Sequence, residues 1–518
     1  MPLHDNKSKT SSGTIEQITS VFKIDAEALK LDPKTRQTGP IVKEFSLNTS
    51  MHGIPGIARS ESIHNRLFWT VSFLIYTGIM FYFIIQAIRE YFKYPTQTSV
   101  DFVGQWPQVF PAVTFCNYSP IRYDRFIESF TTYTNSLNLT NLTDSTPMSP
   151  TQALYIDGFL QDKLNRNESL IDFYFSLESM LVKCTYNGVN CSVTDFIQFT
   201  SPVYGLCYTF NAQAKHINNG EVHYNNEHGD SGELELGLYT HGHMYVPFIS
   251  DGIGVVAMVH DNTQLPLIDR LNTQLVPGRK YKLGYSKKVN YLLPPPYTTC
   301  NDKVPPGLQA MFDQFEGITY AYAQELCFKV ALQTYTYDEC GCVSPYEWAA
   351  RYIIPTGTNY VVHARLCDAS DSCYSDAADR FRDSDSISLS YGAACGLECT
   401  TNEFVVKLSA IATPAQWYSH EIRKFVETSA VPVTPTWNET WLEDIRLNYV
   451  GIAVVCESTR VEVYTQQATI TAVDVISNVG GQTGLWIGIS FLSLMEIAEM
   501  IYRIIRHQCH CIRNKLVK

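Results

Sequence analysis

Two long apolar segments dominate the pattern of polar and apolar positions along this chain. The first, LFWTVSFLIYTGIMFYFIIQAI (residues 67–88), has 22 residues and no formal charge. About 20 such residues are needed for a helix to cross the ~30 Å hydrocarbon core of a bilayer. The second, GLWIGISFLSLMEIAEMI (residues 484–501), has Glu496 and Glu499 as its charged side chains. The pattern therefore predicts two transmembrane helices.

The region between the two segments, about 390 residues, has a different pattern. Aromatic and β-branched runs alternate with clusters of Gly, Pro and Asn, which is typical of short strands. ELELGLY, GIGVVAMVH, NYVGIAVV and RVEVYT are examples. Helical spacing favours helices at residues 321–334 and 414–427. The pattern predicts a mixed α and β domain with a sheet core, without an internal repeat.

The distribution of charge predicts the orientation in the membrane. Residues 1–66 hold nine Lys or Arg against seven Asp or Glu, and residues 502–518 hold five against none. Subtracting those +2 and +5 from the whole-chain charge of −12 leaves −19 for residues 67–501. Positive flanks stay in the cytoplasm, and the polar N-terminus does not resemble a signal peptide. We expect a multi-pass plasma-membrane protein with both termini in the cytoplasm.

Cysteine usage agrees with an extracellular position for the central region. Of the 15 cysteines, 13 lie between Cys116 and Cys456, while Cys509 and Cys511 lie in the C-terminal tail. Disulfides form in oxidising compartments, and an odd number leaves one thiol over. Sequons for N-glycosylation occur in the same region, at Asn138, Asn141, Asn167, Asn190 and Asn438.

Two carboxylates in the second apolar segment point to a polar path through the membrane. A carboxylate at the centre of a transmembrane helix costs ~2.5–3.5 kcal/mol on insertion scales, so Glu496 and Glu499 should face a bundle interior or water. Arranged around a symmetry axis, they would form a ring that concentrates cations, with carbonyls or hydroxyls of 488–490 above it. A pair that reaches the cytoplasmic boundary is the alternative. One chain with two spans cannot enclose a pore, so this hypothesis requires a closed oligomer.

Five motifs occur in an order that resembles a known channel superfamily. They are His52-Gly53, FPAVTFCN (residues 110–117), YLLPPPYTTC (291–300), CGLEC (395–399) and GGQTGLWIGIS (480–490). This ordered set resembles the degenerin and epithelial sodium channel superfamily, which includes acid-sensing and peptide-gated channels. The chain is accordingly identified as a suspected member, and most of its length is covered by the resemblance.

The resemblance implies a fold and a pairing of cysteines. The fold is a trimer of subunits with two transmembrane helices and a disulfide-rich α+β ectodomain divided into palm, β-ball, knuckle, finger and thumb. Ala331 and Ala393 occupy positions where acid-sensing relatives have a further disulfide, and Cys456 is left over. The implied disulfides are Cys116–Cys207, Cys184–Cys191, Cys300–Cys399, Cys327–Cys395, Cys340–Cys373 and Cys342–Cys367.

The resemblance also implies the roles of individual residues. Gly488, Ile489 and Ser490 match the selectivity belt, and His52 and Gly53 match a cytoplasmic pore motif. Tyr94 and Tyr297 match an aromatic pair that couples the ectodomain to the gate, and Ser477 matches a small-residue gating site. The implied regions are a cytoplasmic N-terminus (1–66), a first transmembrane helix (67–88), an extracellular domain (89–475), a second transmembrane helix with the pore (476–505) and a cytoplasmic tail (506–518).

The stimulus is not fixed by the sequence. Acid-sensing relatives have a His pair where this chain has Pro95-Thr96, and near ISDGIG (residues 249–254) there is one carboxylate, Asp251, where they have several. Proton gating is therefore less favoured. The match to the family's wrist and thumb implies coupling to a ligand, and an acidic, aromatic-rich ectodomain suits a small cationic peptide, so we favour a neuropeptide of the FMRFamide type over a constitutive epithelial-type channel. A histidine cluster remains as a candidate pH sensor; its members are His216, His223, His228, His241 and His243.

The remaining expectations concern partners and rival classes. Sodium selectivity over potassium, block by amiloride, and assembly as a homotrimer or heterotrimer in a lipid bilayer follow from the resemblance. ATP-gated trimeric channels share the topology but lack the motifs above. An ectoenzyme is disfavoured because no HExxH, nucleophile elbow or P-loop occurs. We expect no enzymatic activity, no cofactor, no metal site and no nucleic-acid partner.

Overall fold

A computed structural model describes residues 38–139, 148–214, 220–225, 232–315 and 317–516. The chain forms two compact units. A helical unit combines Met1–Pro95 with Ile470–Lys518, and a sheet unit comprises Thr96–Thr469.

Helices are present in both units. Short 3-10 turns occur at Ile171–Phe173, Val193–Asp195, Gly242–Met244 and Pro345–Ala350. Within the described residues, the α-helices are α1 (Gly39–Asn48), α2 (Ile54–Arg59), α3 (Ile63–Tyr91), α4 (Tyr123–Ser136), α5 (Pro150–Ala153), α6 (Ile156–Asn165), α7 (Leu177–Met180), α8 (Pro306–Phe312), α9 (Gln324–Cys340), α10 (Cys373–Asp383), α11 (Asp385–Tyr391), α12 (Gln416–Thr428), α13 (Trp437–Asn448), α14 (Ala472–Ile487) and α15 (Phe491–Leu516).

Strands are confined to the sheet unit in the described part of the chain. They are β1 (Thr96–Gly104), β2 (Gln108–Val109), β3 (Ala112–Asn117), β4 (Leu181–Tyr186), β5 (Val189–Asn190), β6 (Phe196–Ser201), β7 (Gly205–Phe210), β8 (Tyr224–Asn225), β9 (Leu234–Tyr239), β10 (Val255–His260), β11 (Thr273–Leu275), β12 (Arg279–Tyr291), β13 (Tyr352–Ile353), β14 (Val362–His363), β15 (Thr400–Ala412), β16 (Tyr449–Cys456) and β17 (Arg460–Ala468).

The helical unit contains one continuous helix long enough to cross a membrane and one bent pair. Helix α3 has 29 residues and includes the predicted span 67–88. In its most apolar stretch of 18 residues, only 6% of the residues are buried by the rest of the chain. Helices α14 and α15 meet at a bend of 73°. The second predicted span is therefore not one continuous helix over 484–501, because the chain leaves the helix at residues 488–490. The unit holds two spans if the bent pair counts as one.

Aromatic side chains pack the first span against α14, the first helix of the bent pair. The indole of Trp486 lies next to Tyr76 and Phe83 of α3, with ring centroids 6.0 and 6.1 Å apart and nearly parallel planes. Its Nε1 donates to Gln482 Oε1 at 2.7 Å. The buried N–H of Trp thus has a partner, which lets the ring lie on an apolar helix face.

Two sheets form the core of the sheet unit. The larger has the order β1-β17-β12-β16-β9-β4-β5, with β15 also paired to β12, and the smaller has the order β11-β10-β3-β7-β6. Strand β12 runs parallel to β16 and β17 and antiparallel to β15. The four predicted strand runs are confirmed as β9, β10, β16 and β17, and the mixed α and β class is confirmed with them. Residues at β9 and β16 are almost all buried, as expected for strands covered on both faces.

Helices cover the sheets in two regions. In the first region, Phe126 and Phe130 of α4 pack on Phe159 of α6, and Phe126 also packs on Phe173. The segment 300–399, which we call the helical lobe, contains α8 to α11. The predicted helices at 321–334 and 414–427 correspond to α9 and α12, with shifted ends.

Disulfides close the helical lobe and brace the sheets. The lobe's base is closed by Cys300–Cys399, and no bond joins Ala331 and Ala393, which have no sulfur. Cys456 is buried, and its thiol lies 3.2 Å from Gln108 Oε1. The structure joins the same six pairs that the resemblance implies: Cys116–Cys207, Cys184–Cys191, Cys300–Cys399, Cys327–Cys395, Cys340–Cys373 and Cys342–Cys367.

Candidate functional site

The bend between α14 and α15 is built by a glycine that ends one helix and a serine that begins the next. Gly488 has φ 70° and ψ 20°, the left-handed conformation that glycine adopts after a helix. Its N–H donates to Gly484 O at 3.1 Å, and the N–H of Ile489 donates to Thr483 O at 3.1 Å. Ser490 Oγ accepts from the N–H of Ser493 at 3.3 Å, as an N-cap does. The three predicted belt residues therefore form the turn itself.

The predicted cytoplasmic pore motif packs directly on this turn. The N–H of His52 donates to Ile487 O at 2.8 Å. A Cβ atom added to Gly488 would lie 2.8 Å from the His52 ring, so only a residue without a side chain fits there. Gly53 has φ 88° and lies beside Phe73 of α3, where an added Cβ would be 3.0 Å away. His52 and Gly53 thus hold the turn between the spans at close range.

Glu496 is held by the segment that precedes the motif. Its Oε2 accepts from Thr49 Oγ1 at 2.8 Å and from the N–H of Ser50 at 3.0 Å. The Ser50 hydroxyl lies 2.6 Å from Ser493 Oγ, and Ser493 is fully buried. Hydrogen bonds to a carboxylate are stronger than those between neutral groups. Thr49 and Ser50, which sequence reasoning missed, therefore connect the first carboxylate to the turn.

Glu499 has a different environment from Glu496. It is 70% exposed, and Arg503 Nη1 lies 4.0 Å from its Oε1. Arg503 instead pairs with Glu44 of α1, at 3.3 and 2.9 Å from its two guanidinium nitrogens. The two predicted pore acids thus share a helix, but only one is fixed by hydrogen bonds in the described structure.

This arrangement provides oxygen atoms and negative charge around a sharp turn within an apolar segment. The hydroxyls of Ser490 and Ser493, the backbone of the turn and the carboxylate of Glu496 are all oxygen ligands or acceptors, which suit a hard cation. The side chain of Ile489 is half-buried.

The hydrogen bond from Thr49 gives a first testable prediction. Thr49→Val keeps the shape of the side chain but removes the hydrogen bond from the Thr49 hydroxyl to the Glu496 carboxylate. We expect the segment to hold the turn less firmly, and the sodium-to-potassium permeability ratio to fall severalfold in two-electrode recordings. Ser46→Ala is the matched control, because Ser46 Oγ donates to Val42 O within α1. An unchanged ratio in Thr49→Val would contradict the prediction.

Comparison with known proteins identifies the family. The sequence profile described as "Amiloride-sensitive sodium channel" matches residues 45–500, from just before the His-Gly motif to just beyond Glu499. The chain belongs to this family. Acid-sensing ion channel 1 of Gallus gallus is 26% identical over 95% of this chain and 89% of its own length. The degenerin-like protein asic-2 of Caenorhabditis elegans is 24% identical, over 89% and 86%.

Two further comparisons are more limited. The epithelial sodium channel subunit gamma of Mus musculus is 25% identical over 65% of this chain and 48% of its own length. A cryo-electron microscopy structure of a proton-activated chloride channel covers 84% of this chain and 97% of its own, with 8% identity and a TM-score of 0.28. A score that low supports no conclusion. The superfamily prediction is confirmed, and with it the coarse prediction of a sodium channel family member.

The gating residues of this amiloride-sensitive sodium channel family member occupy distinct local positions. Tyr94 follows α3 with φ 50°, and its ring lies 6.1 Å from Tyr91 and 6.3 Å from Phe92. The N–H of Tyr297 donates to Pro294 O at 3.2 Å. Ser477 is exposed on α14. The coupling role of the tyrosines and the gating role of Ser477 remain predictions.

The histidine cluster does not assemble as one site in the described part of the chain. His216 and His228 lie outside the described residues. His241 is buried, with Nε2 2.8 Å from Ser179 O, and burial lowers its pKa to about 4. Burial also lowers the pKa of His223. His243 Nε2 lies 2.7 Å from Pro432 O. An imidazole with a lowered pKa stays uncharged at neutral pH, so His241 and His223 are poor sensors of mild acid.

The remaining predicted positions that the structure describes lie on the surface. Asp251 accepts a hydrogen bond from the Tyr118 hydroxyl at 3.2 Å. Asn141 lies outside the described residues. The other four sequon asparagines, Asn138, Asn167, Asn190 and Asn438, are exposed, and their glycosylation remains a prediction.

Proposed function

We propose that this protein is a subunit of a trimeric, sodium-selective, amiloride-sensitive channel of the plasma membrane, with both termini in the cytoplasm. The observation that supports this most is the turn at 488–490, where the His-Gly motif closes on a break in the second span. A broken helix at membrane depth is tolerated where it lines a water-filled cavity or is buried in protein. An ion path provides that environment, and Glu496 and Glu499 below the turn attract cations into it.

Assembly from several copies is supported by a face of small residues. A Cβ added at Gly480 or Gly484 would meet no atom within 4 Å in the single chain. These two glycines form a small-xxx-small step on α14, and such steps let transmembrane helices approach closely. Neighbouring copies of α14 would pack on this face and surround a central path.

The proposed stimulus is an extracellular cationic peptide of the FMRFamide type. Residues 67–501 carry a net charge of −19, which attracts a cationic ligand. Tyr94 and Tyr297 match the pair that couples ligand binding to the gate in such channels. Proton gating finds less support. At the position where acid-sensing relatives have several carboxylates, this chain has one, Asp251, and the lowered pKa of His241 keeps its imidazole neutral at mild acid pH. A channel that is open without any ligand is the second candidate.

Expression in oocytes tests the proposal. A panel of RFamide peptides tests the stimulus, replacement of external sodium by potassium tests the selectivity, and amiloride tests the block. We expect current under a peptide, a reversal potential that follows sodium, and block by amiloride. Current at rest without a peptide response would replace the stimulus with the constitutive alternative. Surface-expressed protein that passes no monovalent cation under any condition would overturn the channel proposal.

A further inference from the structure

The helical lobe contains a cavity of about 630 Å³ that is open to solvent on one side. It lies between α8, α9, the end of α11 and the loop 354–359, which are distant in sequence and meet around it. Small-molecule sites in proteins have volumes of ~300–1,000 Å³. The cavity is far from the turn at 488–490 in sequence, and its lining includes Ala331 and Cys395, the first residue of the CGLEC motif.

The floor of the cavity is apolar and recessed. It includes Leu308, Val330 and Ala331, which are no more than 7% exposed. The Cys327–Cys395 disulfide forms another part of the wall. The space exists because Ala331 has only a methyl group and Gly307 has no side chain. Burying an apolar group on this floor is favourable, because it removes apolar surface from water.

The rim of the cavity is polar and rich in hydrogen-bond acceptors. The hydroxyls of Thr334, Thr358 and Tyr391 donate to Val330 O at 2.9 Å, to Pro355 O at 2.8 Å and to Asp338 Oδ2 at 3.0 Å. Their protons are thus committed to the protein. The Tyr391 oxygen also has a hydrogen bond with the Thr356 side chain, so the oxygens of Thr334 and Thr358 are the acceptors that remain available. No Lys, Arg, Asp, Glu or His is among the described residues that line the cavity.

We propose that this cavity is a binding site for a small uncharged molecule with an aromatic or similar apolar body and one hydrogen-bond donor. The apolar body fills the floor above Ala331, and the donor reaches the hydroxyl oxygens of the rim. A formal charge is disfavoured, because the lining has no opposite charge to offset the cost of removing it from water. A bound molecule connects α8, α9 and α11, so it stabilises the lobe increasingly as its concentration rises above its dissociation constant.

Protection of an introduced cysteine measures binding directly. Ser390→Cys places a thiol on the rim, while Leu389→Cys places one on the adjacent residue of α11, which is 70% exposed and outside the lining. Surface channels of intact oocytes are labelled with a membrane-impermeant biotin maleimide in the presence of 2-phenylethanol. The parent protein, whose Cys456 is buried, serves as the blank.

We expect 2-phenylethanol to slow labelling of the Ser390→Cys variant in a saturable manner, with no effect on Leu389→Cys. The methyl ether of 2-phenylethanol, which lacks the donor, and phenylethylammonium, which is charged, should each need severalfold higher concentration. Adding Ala331→Phe to the Ser390→Cys variant should remove the protection by filling the floor, and surface labelling of Leu389→Cys with Ala331→Phe shows whether that protein folds.

The experiment overturns the proposal in three ways. Labelling of the Ser390→Cys variant that 2-phenylethanol does not slow up to its solubility limit means that no such site exists. Equal slowing at Leu389→Cys means that the effect is not specific to the cavity. Stronger protection by phenylethylammonium than by 2-phenylethanol means that the assigned ligand class is wrong. None of these outcomes depends on whether the channel opens to a peptide.

Discussion

Replacement of Gly488 by valine is expected to abolish sodium-selective current while the protein still reaches the cell surface. Gly488 has φ 70°, and the left-handed conformation costs an ordinary L-residue ~1–2 kcal/mol, with β-branched residues the least tolerant. The added Cβ would also lie 2.8 Å from the His52 ring. The His52 ring or the turn must therefore shift, and the backbone strain at Gly488 remains even if the ring moves. The measurement is current amplitude and reversal potential in oocytes, normalised to surface biotinylation.

The control for Gly488→Val is Gly481→Ala in the same pair of helices. Gly481 lies inside α14, and a Cβ there meets no atom within 4 Å in the single chain. Alanine is favoured over glycine in a helix interior by ~1 kcal/mol. We expect Gly481→Ala to conduct with unchanged sodium preference. Normal selective current in Gly488→Val would show that the turn is not part of the ion path.

Ser477→Trp is expected to give a large standing current without agonist. Ser477 lies three residues before Gly480 and seven before Gly484, so the three share one helix face. This is the face of small residues on which we propose that copies of α14 pack. An indole there is too bulky for a closed arrangement and holds the helices apart. The measurement is amiloride-sensitive current at rest, compared with the parent protein.

Two control variants test whether the standing current requires a bulky side chain on this particular face. Ser477→Ala keeps the residue small and should leave the channel closed at rest. Asn478→Trp adds the same indole about 100° around the helix, and should give little standing current. A silent Ser477→Trp variant present at the surface, or equal standing current from Asn478→Trp, would contradict the role of this face.

The local features of the fold were predictable because they depend on short stretches of sequence. The first span, the strands β9, β10, β16 and β17, and the approximate positions of α9 and α12 follow from hydropathy and side-chain alternation. The family follows from five ordered motifs, and the family profile confirms it over residues 45–500. The cysteine pairs did not follow from spacing, because many pairings are possible; they came only with the resemblance.

The candidate site shows where that kind of prediction ends. Glu496 and Glu499 have the same charge and lie three residues apart, so their sequence gives no reason to treat them differently. The structure separates them, because Thr49 and Ser50 bind Glu496 while Glu499 remains 70% exposed. Ser50 and Ser493 are 443 residues apart in the chain and 2.6 Å apart at their hydroxyls. No local pattern encodes such a contact.

The amino-acid sequence by itself determined the apolar span, the strand-rich central region, the charge asymmetry and the family. Each of these depends on which residues occur and at what spacing. Only the tertiary structure decided that the second span bends at Gly488, that the His-Gly motif closes on the bend, and that the helical lobe contains a cavity. These features depend on which distant segments pack together, and the free energy of that packing is spread over contacts that no short stretch of sequence contains.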